Sequence, residues 1–208
     1  MSDTASDREV AAALEAEDAA RASFYGLISR LFYAPPDPNL IAEIGRAQSG
    51  DASEGAGGLG AAWRSLQEAC RGAYPALVRQ EYDSLFVGTG RSEVTPYLSG
   101  HVEGAAADRY LVRLREQLDA WGLARREGIG EVEDHISGIS DIMRWLIENR
   151  RPLPEQQQFF EDFAYRGAIA FCAAVQKSSS ASFYKPVAAL ASCFFEIEKT
   201  AFEMGETA

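Results

Sequence analysis

The amino-acid sequence predicts an all-α protein, a single-domain bundle of about eight to ten helices over residues 1–208. Apolar residues recur at intervals of three and four through most of the chain, which is the period of a helix with one buried face. Proline and glycine stand where such helices should begin or end. We find no segment with the alternation of apolar and polar residues that a half-buried strand requires.

The N-terminal part of the chain contains two short predicted helices and a loop. Arg21–Tyr33 carries its large apolar side chains on one stripe and stops at Pro35-Pro36. A second helix opens at Asp37-Pro38, because proline suits the first helical turn. Residues 49–60 include five glycines and predict a flexible loop. Residues 1–8 are acidic and polar, and we expect them to be disordered.

The rest of the chain repeats the helical pattern. Apolar side chains from Leu111 to Trp121 step by three and four, and Gly122 follows as a C-cap. A longer loop is predicted over residues 88–104, where the residue before Pro96 is biased away from helix. The remaining helices are predicted over residues 61–72, 75–87, 136–147, 154–175 and 182–204.

The charge of the chain narrows the choice of partner. Acidic residues number 31 and basic residues 20, which gives a net charge of -11. Such a surface repels phosphate backbones and anionic membranes, so we expect no nucleic acid and no stable membrane insertion, but a basic ligand instead. The N-terminus lacks the features of a secretory signal, and three widely spaced cysteines do not form a disulfide framework. These features predict a cytoplasmic protein.

The sequence lacks the recognisable residue patterns of catalysis and of metal binding. It has only two histidines, His101 and His135, and neither CxxC nor HExxH spacing. A serine in a GxSxG elbow is missing as well. Gly88-Thr89-Gly90 is only superficially like a phosphate loop, because no Lys-Ser/Thr follows it. We therefore predict no catalytic residue, no metal and no enzyme activity.

Aromatic residues near the predicted 88–104 loop are the first candidates for binding. Tyr82, Leu85 and Phe86 are three and four residues apart on one helical face. Leu85 is expected in the core, whereas rings near a helix end often border clefts. Tyr97 follows Pro96 in an extended segment and cannot belong to a helical stripe. We expect Tyr82, Phe86 and Tyr97 to form one wall of a cleft.

Acidic residues supply the second group of candidates. Asp134 can act as the N-cap of the next helix, with His135 a solvated or side-chain-bonded residue of the first turn, and the pattern favours this interpretation. Alternatively, both line a cleft rim and bind a basic or amide group. Carboxylates such as those of Glu81 and Asp83 are usually hydrated at the surface, but together the two could bind an arginine or lysine of a partner.

These segments together resemble the TorD/DmsD/NarJ family, the cytoplasmic maturation chaperones of molybdenum-containing redox enzymes. The resemblance covers most of the chain in the same order, and each motif alone is modest. Its segments are Arg21–Phe32, the Tyr/Phe-x-x-Leu-Phe-x-Gly stretch at Glu81–Gly88, Pro96–Ser99, Asp134–Ile136 and Phe183–Lys185.

The resemblance implies an all-α, non-enzymatic protein with a role in anaerobic respiration. Such chaperones bind the twin-arginine leader, or another N-terminal segment, of a partner oxidoreductase until its molybdopterin cofactor is inserted. The partner is then a leader peptide or the apo form of a molybdenum oxidoreductase subunit, and the chaperone is a monomer or a homodimer. The peptide-binding residues that the resemblance implies are Tyr82, Phe86, Pro96, Tyr97, Asp134 and His135.

Two alternatives remain open at this point. Glu133 stands where many relatives have proline, Thr89 replaces another proline, and the His-Leu…Trp-x-Pro stretch is absent. These departures leave the subgroup open, so the client could be a catalytic subunit that is not exported, as for a NarJ-like chaperone. An alternative of another class is a guanine-nucleotide-binding helical protein, with Gly88-Thr89-Gly90 near the nucleotide. We expect no cofactor, and weak GTP binding only under this last alternative.

Overall fold

Helices account for most of the protein in the computed structural model, which describes residues 3–48, 57–88, 92–103, 105–123 and 132–205. A π-turn, Asp83–Val87, extends α4, and a second, Phe160–Ala164, joins α7 to α8. Because α7 runs on into α8, the nine α-helices of these ranges make eight separate helical rods, which confirms the all-α prediction. The α-helices are α1 (Asp3–Tyr33), α2 (Pro38–Arg46), α3 (Gly57–Arg71), α4 (Pro75–Tyr82), α5 (Ala105–Ala120), α6 (Ile136–Glu148), α7 (Leu153–Phe159), α8 (Tyr165–Lys177) and α9 (Tyr184–Gly205).

Two helices begin earlier than the sequence pattern predicts. α1 starts at Asp3, so residues 3–8 are helical where we expected disorder. The alanine-rich stretch 11–20 explains the extension, because alanine has the highest intrinsic helix propensity and needs no apolar stripe. α3 starts at Gly57, inside the predicted 49–60 loop. The remainder of that loop, 49–56, lies outside the described residues.

One contiguous core joins the helices. α1 packs chiefly against α6, α9 packs against α8 and α3, and α8 also contacts the 3-10 turn Leu98–His101. An aromatic cluster lies where these helices meet, with ring centroids 5.0 to 5.9 Å apart between neighbours. Its members are Phe32, Tyr82, Phe86, Phe171 and Tyr184.

A buried ion pair connects the first and last helices. Glu198 of α9 is 2% exposed and accepts from Arg21 of α1 through two hydrogen bonds, Nε to Oε1 at 2.8 Å and Nη2 to Oε2 at 3.0 Å. The Tyr25 hydroxyl donates to the same carboxylate at 3.0 Å. Burial by itself would lower the pKa of Arg21, but the Glu198 carboxylate outweighs it and raises that pKa. The guanidinium therefore stays charged inside the fold.

We predict that alkaline solution destabilises the protein through its buried acids. Burial raises the pKa of Tyr25, Tyr110 and Tyr184 above its usual value, and raises that of the Cys172 thiol to about 12. Above the unfolded-state pKa values, near pH 9 to 10, the folded state binds more protons than the unfolded state, so stability falls as pH rises. Urea unfolding at pH 8 and pH 11 should give a lower free energy of unfolding at pH 11. Equal values would contradict this prediction.

Candidate functional site

Two backbone hydrogen bonds join the segment before the 3-10 turn to the start of α6. The Leu98 N–H donates to the Asp134 carbonyl at 2.9 Å, and the Ile136 N–H donates to the Pro96 carbonyl at 2.9 Å. The pairing is an isolated antiparallel β-bridge. The structure therefore brings together four of the predicted site residues, namely Pro96, Tyr97, Asp134 and His135.

The N-cap of α6 is His135, so the prediction of Asp134 as the cap is wrong by one residue. His135 Nδ1 accepts a hydrogen bond from the Ser137 N–H at 3.2 Å and lies 2.6 Å from the Ser137 hydroxyl oxygen. The Asp134 carboxylate instead accepts from the Ser99 N–H at 3.2 Å. The reason is the bridge, because its hydrogen bond from Leu98 fixes Asp134 in an extended pairing and delays the helix by one position.

Burial separates the residues of the bridge into two kinds. Asp134 is 1% exposed and His135 is 2% exposed, so of the two states expected for His135 it is bonded through its side chain, to Ser137, and is not solvated. Pro96 is buried as well. Tyr97 is partly exposed, and its ring meets that of His135 edge to face, with centroids 5.5 Å apart. Tyr97 is therefore the ring of the bridge that an incoming peptide can reach directly.

Tyr82 and Phe86 belong to the core and do not form the wall of an open cleft. Each is 6% exposed. The Tyr82 hydroxyl donates to the carbonyls of Phe32 and Tyr33 at 3.1 and 2.9 Å, and the Phe86 ring packs in the aromatic cluster. Leu85 is fully buried, as expected. Peptide binding by Tyr82 and Phe86 stays a prediction, and in this structure they can act only by supporting their neighbours.

Glu81 has a structural role that the sequence did not show. Its carboxylate accepts from the backbone N–H groups of Ser182, Phe183 and Tyr184 at 2.8, 3.0 and 2.8 Å. These groups precede or open α9, where helical N–H groups lack partners within the helix and the dipole favours negative charge. Glu81 is therefore engaged in capping α9, and an arginine from a partner would have to displace those contacts.

Two open clefts lie side by side near the second π-turn. The larger, of about 420 Å³, opens between α5 and α7, and we call it the α5–α7 cleft. The smaller, of about 240 Å³, shares Asp162 and Phe163 with it and is also lined by Val102, Tyr110 and Gly167. Residues that line the α5–α7 cleft include Trp121, Arg151, Glu155, Phe159, Asp162 and Phe163.

The smaller cleft adjoins the bridge. Val102 directly follows the 3-10 turn, and an added Cβ at Gly167 would lie 2.8 Å from the Cβ of Leu98. The Tyr110 hydroxyl donates to the Phe163 carbonyl in the π-turn. Burial, and then the nearby charge of Asp134, raise the pKa of Tyr110. The bridge, the 3-10 turn and the two clefts therefore form one continuous region of the structure.

Two arginines next to the clefts are each held by a carboxylate and an aromatic ring. Arg151 Nη2 lies 2.6 Å from Glu155 Oε2, and the Arg151 guanidinium carbon lies 5.8 Å from the centroid of the Trp121 ring. Arg113 lies 2.8 Å from Asp162, with its guanidinium 5.4 Å from the Phe163 centroid. This combination suits a planar cation, because the carboxylate accepts its hydrogen bonds and the ring face attracts its charge.

Our sequence reasoning did not identify this arrangement. The available signal was the Arg151–Glu155 spacing of four residues, which is a common pattern on exposed helices. Arg113 and Asp162 come from different helical segments, so the sequence alone does not pair them.

Neither a grouped metal site nor a membrane span is found in the described part of the chain. No cluster of three or more His, Cys, Asp or Glu side chains is placed to hold a metal ion there. Across the same ranges, every helix is too short or too polar to cross a bilayer.

A protein of known structure shares this fold. A solved structure from Archaeoglobus fulgidus, described as a candidate redox enzyme maturation protein, has a similar fold with a TM-score of 0.53. The two chains are 23% identical over 84% of this chain and 93% of that chain. At this identity the similarity shows the fold alone. A comparison with curated proteins gives no significant match.

The family model settles the membership of the chain. The chain belongs to the nitrate reductase delta subunit family, whose model matches residues 53–168, more than half of the sequence. This is the family of NarJ/TorD-type maturation chaperones, so the resemblance drawn from the sequence is confirmed. The matched region begins before α3, continues through the bridge and the second π-turn, and ends in the first turn of α8, so it includes both clefts.

Proposed function

We propose that this protein is a cytoplasmic maturation chaperone that binds the N-terminal, twin-arginine leader of a molybdopterin-containing oxidoreductase and holds it until the cofactor is inserted. The observation that carries the proposal is the family match over residues 53–168. The role is one of binding, and it requires no catalytic residue and no resident cofactor. The guanine-nucleotide alternative stays a prediction, because Thr89 and Gly90 lie outside the described residues.

The charge of the protein supports a basic ligand. A net charge of -11 attracts a leader that carries paired arginines and speeds its diffusional encounter. The apolar run that follows such arginines needs a surface to cover it. Tyr97 at the bridge and the aromatic linings of the two clefts offer that surface.

Asp134 takes a different part in this proposal from the one that the sequence suggested. Its buried carboxylate holds the Ser99 N–H, and its carbonyl holds the Leu98 N–H. Asp134 is therefore a positioning residue for the segment that carries Tyr97, and it does not meet a leader arginine while the bridge is closed. His135 supports the Tyr97 ring from the other side of the bridge.

The client decides between this proposal and its nearest rival. A chaperone of a non-exported catalytic subunit would bind an N-terminal segment without the arginine pair. The family takes its description from the delta subunit of nitrate reductase. The departures from the family pattern at Thr89 and Glu133 are compatible with an exported client and with a client that is not exported. Titrating segments from both kinds of subunit against the same protein distinguishes the two.

We predict that a cognate leader binds with a dissociation constant of about 1 μM or tighter and that the affinity falls with salt. Titration calorimetry should use the leader of the molybdopterin oxidoreductase encoded beside this gene, at low and high ionic strength. A scrambled peptide of the same composition is the control. Absence of heat with every cognate segment, at both salt concentrations, would refute leader binding.

A further inference from the structure

We propose that the α5–α7 cleft and the adjoining smaller cleft, which share Asp162 and Phe163, together form the docking site for a pair of arginines in a peptide ligand. In the free protein the side chains of Arg113 and Arg151 occupy the two positions that the ligand arginines would take. This inference rests on the proposed function, since it assigns the place where the leader's two guanidinium groups bind.

The chain's own arginines show what chemistry the cleft accepts. Each carboxylate, Asp162 or Glu155, holds one guanidinium at salt-bridge distance, and an aromatic ring lies close to each cation. A carboxylate beside a ring face recognises arginine better than lysine, because the guanidinium is planar, forked and weakly hydrated. Two such units at adjoining clefts match a ligand with two arginines.

A third arginine, Arg21, also lies between a carboxylate and an aromatic ring, but this group is buried in the core. Arg21 is held by Glu198 and lies 5.3 Å from the Phe202 ring centroid, but its side chain is only 13% exposed and that of Glu198 is 3% exposed. The side chain of Arg113, in the smaller cleft, is 43% exposed, and that of Arg151, in the α5–α7 cleft, is 34% exposed. Arg21 is therefore fixed in the core, whereas Arg113 and Arg151 can swing into water.

Replacing Arg113 or Arg151 by a ligand arginine should change the stability of the protein little. An exposed ion pair contributes little to stability, since both partners are well solvated when apart. If a ligand arginine replaces Arg113 or Arg151, the carboxylate keeps a cation and the displaced side chain is hydrated. The α5–α7 cleft, of about 420 Å³, is also lined by the apolar side chains of Phe159 and Pro154, which can contact the residues next to the pair.

If Arg113 and Arg151 occupy the positions of the ligand arginines, removing their guanidinium groups should strengthen binding of the leader. We expect Arg113→Gln with Arg151→Gln to raise the affinity for the leader peptide about three- to tenfold, because the ligand no longer competes with internal cations. Asp162→Asn and Glu155→Gln should each lower it about two- to fivefold. Calorimetry with the wild type and the variants, after a circular dichroism check of folding, provides these values.

Arg144→Gln is the matched control for charge. Arg144 forms an ion pair with Glu148 at the same four-residue spacing as Arg151 with Glu155, but on α6 and away from the cleft. It removes one positive charge, half of what the double variant loses, without opening an arginine position, so we expect less than a twofold change. A leader in which the arginine pair is replaced by lysines should lose most of the gain seen with the double variant.

The outcomes separate this inference from the proposed function. If the wild type binds the leader but the double variant gains no more than twice the binding free energy that Arg144→Gln gains, the cleft assignment is wrong and leader binding stands. Unchanged affinity in both Asp162→Asn and Glu155→Gln would overturn it in the same way. If neither the wild type nor the double variant binds any cognate leader, the proposed function itself fails, and the docking site fails with it.

Discussion

Glu198→Ala should destabilise the protein by about 3–5 kcal/mol, the range measured when one partner of a buried ion pair is removed. The variant leaves the guanidinium of Arg21 in a site where its side chain is only 13% exposed, and it removes the acceptor of the Tyr25 hydroxyl. Arg21 keeps only its hydrogen bond to the exposed Asp18, and the buried Tyr25 hydroxyl loses its acceptor. Urea unfolding followed by circular dichroism gives the free energy of unfolding directly.

The matched control is Glu148→Ala, because Glu148 also binds an arginine but is exposed. Its side chain and that of Arg144 are 48% and 46% exposed. Removing it should cost less than about 0.5 kcal/mol. If Glu198→Ala lowers the free energy of unfolding no more than Glu148→Ala does, the buried ion pair stabilises the protein no more than an exposed one.

A double replacement tests the physical reason. Arg21→Met with Glu198→Leu removes both charges and leaves apolar side chains at the interface of α1 and α9. We expect this double variant to be more stable than Glu198→Ala alone, since an apolar substitute for a buried pair is often neutral while a single unpaired charge is costly.

The fold could be predicted from the sequence because its signals are local. The spacing of apolar side chains, the prolines after Tyr33 and the glycine at position 122 each report on a few neighbouring residues, and the helices they predict are present. α1 extends further than predicted because alanine supports a helix without marking a buried face.

The environment of each candidate residue depends on distant parts of the chain. Tyr82 and Phe86 are buried because Phe32, Phe171 and Tyr184, from three other helices, close over them. A period of three and four residues shows that the rings share a face, but it does not show whether that face is covered.

The same limit explains the shifted cap. Asp before a predicted helix is a good local signal for an N-cap. Asp134 is instead committed to the bridge by Leu98, a residue far away in sequence, and the next residue caps α6. Glu81 has its partners beyond residue 180, so its capping of α9 could not be predicted from its neighbours.

Gly167→Ala should destabilise the protein by about 1–3 kcal/mol, the usual cost of adding a methyl group to a tightly packed position. A Cβ at Gly167 would lie 2.8 Å from the Leu98 Cβ and 3.1 Å from the Leu98 carbonyl oxygen. Neither is the end of a flexible side chain, so the 3-10 turn itself must move away from α8. That movement strains the hydrogen bond from Leu98 to the Asp134 carbonyl.

Gly26→Ala is the control for this change, because Gly26 is also a buried glycine within a helix. Its closest neighbour would be Nη1 of the Arg144 side chain at 3.3 Å, which can move aside. Alanine favours a helix over glycine by up to about 1 kcal/mol, so Gly26→Ala should be neutral or stabilising. Urea unfolding of both variants therefore separates close packing at Leu98 from helix propensity, and equal stabilisation by the two would mean that α8 does not press on the turn. If the bridge also positions Tyr97 for a leader, Gly167→Ala should weaken leader binding while Gly26→Ala leaves it unchanged.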